Sequence, residues 1–344
     1  MSRPGASILA VDGGNSKTDL ALIDSDGGVL ATLTGPTTSH QQVGLAAGTE
    51  RLVGLVGELY RLAGLEPPTA PLEVGVYGLA GADTPADTRR LRTALEARHL
   101  AATTIVVNDA FTPIRAGGDR TWGVALICGS GVNAAGIAPD GTTARLAALG
   151  DISGDWGGGG DIGTAGLGAA VRARDGRGPA TVLETVVPAH FGLKRPIDVT
   201  RRLEARTFGR DELRSLSPVV FGAAAGGDAV ARSIIDRQAD ELVAMAGAII
   251  RRLRLARLAP DVVLTGGVFA ARDESFETRI RSGIRAVARD ARVVRLDARP
   301  VLGVGLLGLD AVLPSDADRH AAAVRRLRSQ LGSWMAGAEP TRSD

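Results

Sequence analysis

Short apolar runs alternate with glycine-rich polar turns through the first third of the chain. The run 7–11 ends in the polar turn 12–15, and the mostly apolar run 18–23 ends in the turn 24–28. This order predicts strand, tight turn, strand and tight turn. Apolar residues at helical spacing over 44–64 predict an amphipathic helix. The pattern then predicts a strand over 73–79, a helix after Pro85 and a strand over 104–107.

The same pattern starts again at residue 122. An apolar run over 122–127 ends in a glycine-rich turn, the run 132–138 follows, and Asp140-Gly141 turns the chain. This match with the opening predicts a duplicated fold built from two small α/β domains. Beyond it lie a glycine-rich stretch, 147–168, and an apolar stretch, 300–313. Predicted helices cover about 219–258, 275–288 and 316–335, predicted strands cover 261–264 and 293–296, and residues 337–344 are expected to fray.

Composition excludes several classes of protein. The single cysteine, Cys128, excludes a disulfide framework, a cysteine-rich zinc site and a cysteine-ligated iron–sulfur cluster within one chain; its place after an apolar strand favours a small core residue. The net charge is +2, arginines alternate with acids, and only 3% of residues are aromatic, which argues against a nucleic-acid partner. The longest apolar runs, 242–250 and 301–309, are too short to cross a bilayer. Since residues 1–5 show no signal-peptide pattern, we expect a cytoplasmic protein without a membrane partner.

Glycine-rich turns follow the first strand of each repeat. The first reads Asp12-Gly13-Gly14-Asn15-Ser16-Lys17-Thr18, and the second reads Gly129-Ser130-Gly131-Val132-Asn133-Ala134. Glycines let backbone amides approach an anion, and hydroxyl and lysine side chains add donors, so both turns could bind phosphate. Asp12 could also hold a metal ion through water. The second turn has the dinucleotide-binding spacing, but a predicted strand follows it instead of the helix that this fingerprint needs. An ordinary hairpin turn explains the first turn equally well.

Other candidate residues follow later strands or lie in the glycine-rich stretch. Asp109 follows the strand 104–107, where open α/β sheets bind ligands, and a carboxylate there can deprotonate a hydroxyl; a helix-capping aspartate is the alternative. Asp155 and Trp156 could contact a sugar or lie on a surface turn. Gly266-Gly267 could lie against a flat adenine ring or form a tight turn. The four histidines show no metal-binding spacing.

Together these motifs resemble the N-acetylglucosamine kinases of the BadF/BadG/BcrA/BcrD-type ATPase family, within the actin-like, sugar-kinase and chaperone-ATPase superfamily. The likeness covers about residues 7–313. It rests on Val11-Asp12-Gly13-Gly14-Asn15-Ser16-Lys17-Thr18, Asn108-Asp109-Ala110, Gly129-Ser130-Gly131-Val132-Asn133, Gly154-Asp155, Gly226-Gly227-Asp228, Thr265-Gly266-Gly267-Val268 and Leu302-Gly303. The order and spacing of these motifs together are specific to the family, although no single motif is.

The resemblance implies an α/β protein with two ribonuclease-H-like lobes, 1–117 and 118–313, around a cleft for ATP and a sugar, followed by a C-terminal helix and tail, 314–344. ATP and Mg²⁺ are the implied cofactors, and a homodimer is the implied assembly. Asp12 would position Mg²⁺, and Asp109 would take the proton from the primary hydroxyl (6-OH) of the sugar. Contacts to ATP would come from Gly13, Gly14, Asn15, Ser16, Lys17, Gly129, Ser130, Gly131, Gly266 and Gly267, and contacts to the sugar from Ser39, His40, Asp109, Gly150, Asp155 and Trp156.

The sugar-binding motifs depart from the family pattern. Ser39, followed by His40, stands where the family has an asparagine; Ala148-Leu149-Gly150 replaces Gly-Trp-Gly, and Gly154-Asp155-Trp156-Gly157 replaces Gly-Asp-Glu-Gly. The leading hypothesis is an ATP-dependent amino-sugar kinase, with N-acetylglucosamine as the first expected substrate and glucosamine, N-acetylmuramic acid or another hexose as alternatives.

Two other classes stay open at this point. An ATPase activator of an electron-transfer system would need two cysteines per chain for a cluster shared by two subunits, and this chain has one. A regulatory ATP- and sugar-binding protein without catalysis would have no need to retain Asp12, Asp109 and both glycine turns.

Overall fold

The computed structural model describes residues 5–66, 70–299 and 301–332. Contacts between residues divide the chain into two units. Unit 1 comprises the described residues of Met1–Thr121 and Leu296–Asp344, and unit 2 comprises Trp122–Arg295. Each unit contains one five-stranded sheet with helices packed on it.

Strands and helices alternate along most of the described chain. The strands are β1 (Ala6–Gly13), β2 (Lys17–Asp24), β3 (Val29–Pro36), β4 (Leu72–Leu79), β5 (Ala101–Asn108), β6 (Gly123–Cys128), β7 (Val132–Ile137), β8 (Thr143–Arg145), β9 (Asp261–Thr265) and β10 (Arg292–Arg295). The helices are α1 (His40–Val43), α2 (Leu45–Ala63), α3 (Pro85–Glu96), α4 (Thr112–Gly117), α5 (Gly159–Arg174), α6 (Leu183–His190), α7 (Pro196–Glu204), α8 (Arg210–Ser215), α9 (Ser217–Ala225), α10 (Ala229–Arg252), α11 (Glu274–Val287), α12 (Val301–Val312) and α13 (Ala317–Leu331). Short 3₁₀ helices lie at Asp109–Phe111, Gly150–Ser153 and Gly267–Ala271.

The sheet of unit 1 has the strand order β3-β2-β1-β4-β5. Strands β1, β4 and β5 are parallel, whereas β2 is antiparallel to both β1 and β3. The apolar run of β1 is continuous because this central strand is buried on both faces. Ile8 and Ala10 face a core that includes α12 and α13, and Leu9 and Val11 face a core that includes α2 and α3. Residues at the carboxyl end of β1 are therefore anchored by packing on both sides.

The sheet of unit 2 has the strand order β10-β9-β6-β7-β8. Strands β6, β9 and β10 are parallel, and β7 is antiparallel to β6 and β8. Strand β6 thus takes the place that β1 has in unit 1, and each neighbour has the corresponding direction. The repeated sequence pattern predicted this duplication. Val124 and Leu126 of β6 lie in a core with α5, α9, α10 and α11.

Two segments of unit 2 differ from the predicted elements. The glycine-rich stretch is helical from Gly159 onward, because its glycines allow close helix packing: a Cβ on Gly163 would clash with the carbonyl of Leu213, and one on Gly166 would lie 2.5 Å from a methyl of Val220. The predicted helical region over about 219–258 contains two helices, α9 and α10, separated by Gly226-Gly227-Asp228. The sequence did not predict the helices α6, α7 and α8 of unit 2, nor the half-buried strand β3 of unit 1.

The contacts also divide the chain differently from the predicted lobes. The prediction grouped 118–313 together, but the described residues from Leu296 onward pack with unit 1. Helix α12 lies on β1 and β4, where the absence of side chains at Gly305 and Gly308 lets it approach Ile23 and Ile8. An apolar run such as 301–313 shows that a segment is buried, but not which sheet buries it.

Helix α13 lies within the predicted helix 316–335 and packs on the core of unit 1. Its buried side chains are Ala323, Val324, Leu327 and Leu331. The predicted helix residues 333–335, which include Trp334, and the predicted frayed tail 337–344 lie outside the described residues.

Within the described ranges, no single helix is long and apolar enough to cross a bilayer. One pair of consecutive segments, Arg210–Ala225 and Ala229–Arg252, reaches that length and composition only when taken together, and it is bent by 116°.

Candidate active site

The first predicted phosphate turn is a tight hairpin between β1 and β2. The amide of Gly14 donates to the carbonyl of Lys17 at 2.9 Å. Gly13 is buried and packs too closely on β4 for a side chain, since a Cβ would lie 2.7 Å from a methyl group of that strand. Asn15, Ser16 and Lys17 are exposed. The turn thus presents three side chains with hydrogen-bond donors at one end of the sheet, which is compatible with phosphate binding.

A group of charged side chains surrounds the end of β1. Asp12 is opposite Asp19 in the β1–β2 register, and Lys17 Nζ lies 2.7 Å from Asp19 Oδ2. Burial raises the pKa of Asp12 to about 8; the negative charges of Asp109 and Asp19 add to this rise, and the Lys17 ammonium opposes it. The structure therefore brings the predicted metal ligand Asp12 and the predicted base Asp109 within electrostatic reach of each other.

Asp109 is the first residue of the 3₁₀ helix that follows β5. The helix cap that the sequence left open for Asp109 is made by Asn108 instead, whose side chain accepts a hydrogen bond from the amide of Ala110 at 3.0 Å. Helix α12 packs directly on the residues that follow Asp109. Gly303 of α12 lies so close to the Thr112 carbonyl oxygen that a Cβ on Gly303 would clash with this oxygen. The glycine of the Leu302-Gly303 motif is thus required for the close packing of α12 on the segment that begins with Asp109.

Ser39 and His40 lie where α1 begins, beside the hairpin turn. Ser39 is buried and caps α1, and its hydroxyl donates to Asn15 Oδ1 at 2.7 Å. His40 is half-buried and packs closely on Gly81, and its Nδ1 is buried without a hydrogen-bond partner among the described residues. Both side chains are therefore close to the predicted phosphate turn, and Ser39 orients Asn15.

Asp83 belongs to this region of unit 1, although sequence reasoning did not single it out. Its Oδ1 accepts from Asn108 Nδ2 at 2.9 Å, and its Oδ2 accepts from Gln41 Nε2 at 3.4 Å. Asp83 thus links α1 to the segment that carries Asp109. The available signal was its place just after the glycine-containing end of β4, where parallel sheets collect ligand-binding residues.

Asp12→Asn is expected to stabilise the ligand-free protein at alkaline pH. The pKa of Asp12 in the fold, about 8, lies above its ordinary value of 3.8. Between these values the folded state binds more protons than the unfolded chain, so the contribution of Asp12 to stability falls as pH rises. We expect the melting temperature of the variant to exceed that of the wild type by about 5 °C at pH 8 and to match it near pH 4. The fully exposed Asp119 provides the control variant Asp119→Asn, and an equal shift at both pH values would contradict the prediction.

The side chains around Asp12 show whether this region could hold a magnesium ion. Among the residues that the structure describes, no three His, Cys, Asp or Glu side chains form a ready-made metal cluster. Mg²⁺ commonly keeps several waters and uses one or two carboxylates together with substrate phosphates. Asp12 supplies such a carboxylate, and the negative charges that raise its pKa would be offset by a cation. The residues present therefore fit a magnesium ion.

Unit 2 contains a cavity of about 480 Å³ beside the second phosphate turn, a volume typical of small-molecule sites. Of the predicted ATP contacts, Gly129, Ser130 and Gly267 line it. Gly266 has a φ of +111° and packs on the carbonyl of Cys128, where a Cβ would clash. A glycine is therefore required at this position by the fold, whether or not a ligand binds nearby. The full lining is Gly129, Ser130, Gly159, Arg214, Ser217, Pro218, Phe221, Gly267, Val268, Ala270 and Ala271.

The start of α5 holds the second phosphate turn in place. The first two amides of this helix donate to the carbonyls of Gly129 and Ser130, at 2.8 and 3.0 Å. The backbone of Gly158 lies against Gly131, where a Cβ on Gly158 would clash. The fully buried Gln238 accepts from the Gly158 amide at 2.6 Å. Gly131, a predicted ATP contact, thus packs on Gly158 and does not line the cavity.

The predicted sugar-contacting loop before α5 is ordered by its own hydrogen bonds. Gly150 begins a 3₁₀ turn, and its carbonyl accepts from the Asp155 amide at 3.1 Å. The Leu149 amide donates to Asp155 Oδ2 at 3.1 Å, and the Ser153 hydroxyl also bonds that oxygen. No described residue is bonded to Asp155 Oδ1 by a hydrogen bond. The loop therefore fixes the Asp155 carboxylate through one oxygen only.

Apolar side chains accompany Asp155 on this loop. Leu149 is 63% exposed and Ile152 is 90% exposed. Trp156 is half-buried, and the Arg237 guanidinium lies 3.9 Å from the centre of its ring. Leu149 and Trp156 stand at positions where the sequence departs from the family pattern, so these departures give the loop an apolar surface.

Sequence reasoning missed the helical wall of the cavity, which α8 and α9 supply. Its side chains are Arg214, Ser217, Pro218 and Phe221. The pair Ser217-Pro218 does signal a helix start, since proline is favoured in the first helical turn. Nothing local to it indicates that this helix faces the second phosphate turn, which lies far away in sequence.

Comparisons with known proteins connect this geometry to one family. The BadF/BadG/BcrA/BcrD ATPase family matches residues 9–302. The chain is 29% identical over 265 residues to the N-acetylmuramic acid/N-acetylglucosamine kinase of Clostridium acetobutylicum, a match that covers 76% of this chain and 85% of that protein. It is 25% identical over 317 residues to the N-acetyl-D-glucosamine kinase of Dictyostelium discoideum, with coverages of 88% and 98%.

A solved structure shows the same fold. The crystal structure of a candidate N-acetylglucosamine kinase from Chromobacterium violaceum matches with a TM-score of 0.65 at 24% identity, over 88% of this chain and 98% of that one. This likeness confirms the predicted α/β class with two ribonuclease-H-like lobes.

Proposed function

Because the chain belongs to the BadF/BadG/BcrA/BcrD ATPase family, we propose that it is an ATP-dependent sugar kinase that phosphorylates the primary hydroxyl of an amino sugar. The observation that carries this proposal is the grouping of Asp12 and Asp109 at the carboxyl ends of β1 and β5, where the negative charge of Asp109 contributes to the raised pKa of Asp12. A general base next to a metal-binding carboxylate is the arrangement that phosphoryl transfer to a hydroxyl requires.

The chemistry assigned to the residues is a single displacement. Asp109 accepts the proton of the sugar hydroxyl as the hydroxyl oxygen attacks the γ-phosphorus of ATP. The bond from the γ-phosphorus to the bridging oxygen breaks, and ADP leaves. Mg²⁺, held through Asp12, would neutralise charge on the phosphates. Contacts to the phosphates are assigned to the hairpin residues Gly13, Gly14, Asn15, Ser16 and Lys17 and to Gly129 and Ser130.

The nucleoside part of ATP is assigned to the cavity of unit 2. Its wall combines the flat apolar surface of Phe221, Pro218 and Val268 with the open backbone of Gly267, at which a side chain would meet nothing within 4 Å. A purine ring needs such a dry, flat surface, whereas a sugar needs polar walls.

The sugar is assigned to Asp109, to the loop that carries Gly150, Asp155 and Trp156, and to the α1 start with Ser39 and His40. The relatives from Clostridium acetobutylicum and Dictyostelium discoideum act, by their names, on N-acetylglucosamine, and the first also on N-acetylmuramic acid. An amino sugar of this class is therefore the substrate that we propose, with transfer to its 6-OH. The apolar Leu149 and Trp156 suit the acetyl methyl group of such sugars better than the bare hydroxyls of glucose.

Sugar-dependent release of ADP from MgATP tests this function. The sugars compared are N-acetylglucosamine, N-acetylmuramic acid, glucosamine, N-acetylmannosamine and glucose. We expect the first two to stimulate ADP release most and glucose least, and we expect product analysis to place the phosphate on the 6-OH. ATP binding without stimulation by any of these sugars would contradict the kinase proposal and leave a regulatory ATP-binding protein.

A further inference from the structure

Among the described residues that line the cavity of unit 2, Arg214 has the one charged side chain, and the others are apolar, hydroxyl or glycine residues. Its Nη1 donates to Ser130 Oγ at 2.9 Å, so the guanidinium reaches the second phosphate turn from α8. Its Nη2 lies 2.9 Å from Asp211 Oδ1, but both side chains of this pair are substantially exposed, at 45% and 79%. An exposed ion pair of this kind stabilises little and is easily exchanged for another anion.

The packing of α8 on α5 places Arg214 at the cavity. Helix α8 packs directly on α5, because Gly163 has no side chain to clash with the Leu213 carbonyl. The Arg214 stem then crosses the start of α5, where its Cγ would lie 3.0 Å from a Cβ on Gly159. The contact between α8 and α5 therefore positions the Arg214 guanidinium next to Ser130.

Other groups at this end of the cavity have less capacity to neutralise an anion. The first two amides of α5, which would otherwise attract a phosphate, already donate to the carbonyls of Gly129 and Ser130. Ser217 and Ser130 offer neutral hydroxyls. A ligand that buries a flat apolar part against Phe221 and carries negative charge toward Ser130 would thus depend on Arg214.

We propose that Arg214 is a phosphate ligand of the bound nucleotide, contacting an oxygen of the α- or β-phosphate next to Ser130. This inference rests on the proposed binding of ATP in the cavity and adds a residue to it. The guanidinium exchanges the exposed Asp211 carboxylate for the phosphate and keeps its bond to Ser130. Arginine suits this role because it forms short, charge-assisted hydrogen bonds to phosphate oxygens.

Equilibrium binding of adenosine, ADP and ATP to the full chain separates a phosphate contact from a packing effect. Arg214→Ala is expected to weaken ADP and ATP binding by about 10- to 100-fold, the usual loss for a hydrogen bond to a charged group. Adenosine affinity is expected to stay unchanged. Arg214→Lys, which keeps the charge but not the fork of donors, is expected to recover part of the loss.

Two variants on the same helix provide controls. Arg210→Ala removes an exposed arginine that is absent from the cavity wall, and Asp211→Asn removes the exchangeable partner of Arg214; neither is expected to weaken ADP binding. An equal loss for adenosine and ADP in Arg214→Ala would show that the residue acts through the packing of α8, and would overturn the assignment. Unchanged ADP binding in that variant would also overturn it. Failure of the wild-type protein to bind any adenine nucleotide would instead overturn the proposed function.

Discussion

Asp109→Asn is expected to lower kcat for sugar phosphorylation by about 10²–10⁴-fold, the usual contribution of a general base. Asparagine has nearly the same shape as aspartate, and the backbone carbonyl that accepts from the Thr112 hydroxyl at 3.0 Å is unaffected, so the 3₁₀ turn after β5 is retained. The variant loses the negative charge of Asp109 and with it the capacity to accept the hydroxyl proton. Steady-state kinetics with MgATP and the best sugar of the panel, together with direct measurement of ATP binding, check this result.

Two further readouts make the Asp109 experiment specific. Asp119→Asn removes a carboxylate of the same unit that is 95% exposed, and we expect its kcat to equal that of the wild type. Since the charge of Asp109 raises the pKa of Asp12, Asp109→Asn is also expected to lower the pKa of Asp12 and so to reduce the alkaline destabilisation of the ligand-free protein. Near wild-type turnover in Asp109→Asn would eliminate Asp109 as the base.

Asp310→Leu is expected to destabilise unit 1 by about 3–5 kcal/mol, because it leaves a buried charge without its partner. Arg115 is only 5% exposed, and its Nε and Nη2 donate to the two oxygens of Asp310 at 2.8 Å each. His320 Nε2 lies 2.7 Å from the same carboxylate, so Asp310 joins α4, α12 and α13. Chemical denaturation at neutral pH measures the loss.

The matched control for Asp310 is an exposed ion pair that joins Arg319 of α13 to Asp26. Arg319 bonds Asp26 at 2.8 Å, with both side chains about half exposed, so Asp26→Asn is expected to cost at most about 1 kcal/mol. The double variant Arg115→Met/Asp310→Leu removes both charges and is expected to recover part of the loss. If Asp310→Leu and Asp26→Asn lowered the free energy of unfolding by the same small amount, the prediction would be contradicted, because the buried pair would then hold α12 and α13 on the sheet no better than an exposed pair does.

Local sequence pattern predicted the elements that carry the candidate site. The strands β1, β2, β4, β5, β6, β7 and β9 appear as mostly apolar runs followed by turns that contain glycine, asparagine, aspartate or proline, because a strand in a sheet core is mostly apolar and a tight turn favours these residues. The hairpin after β1 and the turn after β6 follow from the same signals. Asp109 was recognised by its place at the end of a strand, and the family resemblance assigned its role.

Glycine-rich segments show where local pattern is insufficient. The glycine-rich residues 159–168 had no predicted element, yet they form the first part of α5, where Gly163 and Gly166 permit close contact with other helices. Gly266 and Gly267 look equivalent in sequence, but the first packs on Cys128 and the second lines the cavity. Which of the two roles a glycine has depends on the neighbours that approach it, and these come from distant parts of the chain.

By itself the sequence determined the two-fold repeat of the α/β pattern, the positions of both glycine-rich turns and the carboxylates at the strand ends, since these depend on neighbouring residues only. Tertiary structure alone decided that α12 and α13 return to the first sheet, that Asp109 and Asp19 raise the pKa of Asp12, and that Arg214 reaches Ser130. Each of these depends on packing or charge between segments that are not neighbours in sequence. Burial and Coulomb energies follow distance in space, which the periodicity of a sequence does not contain.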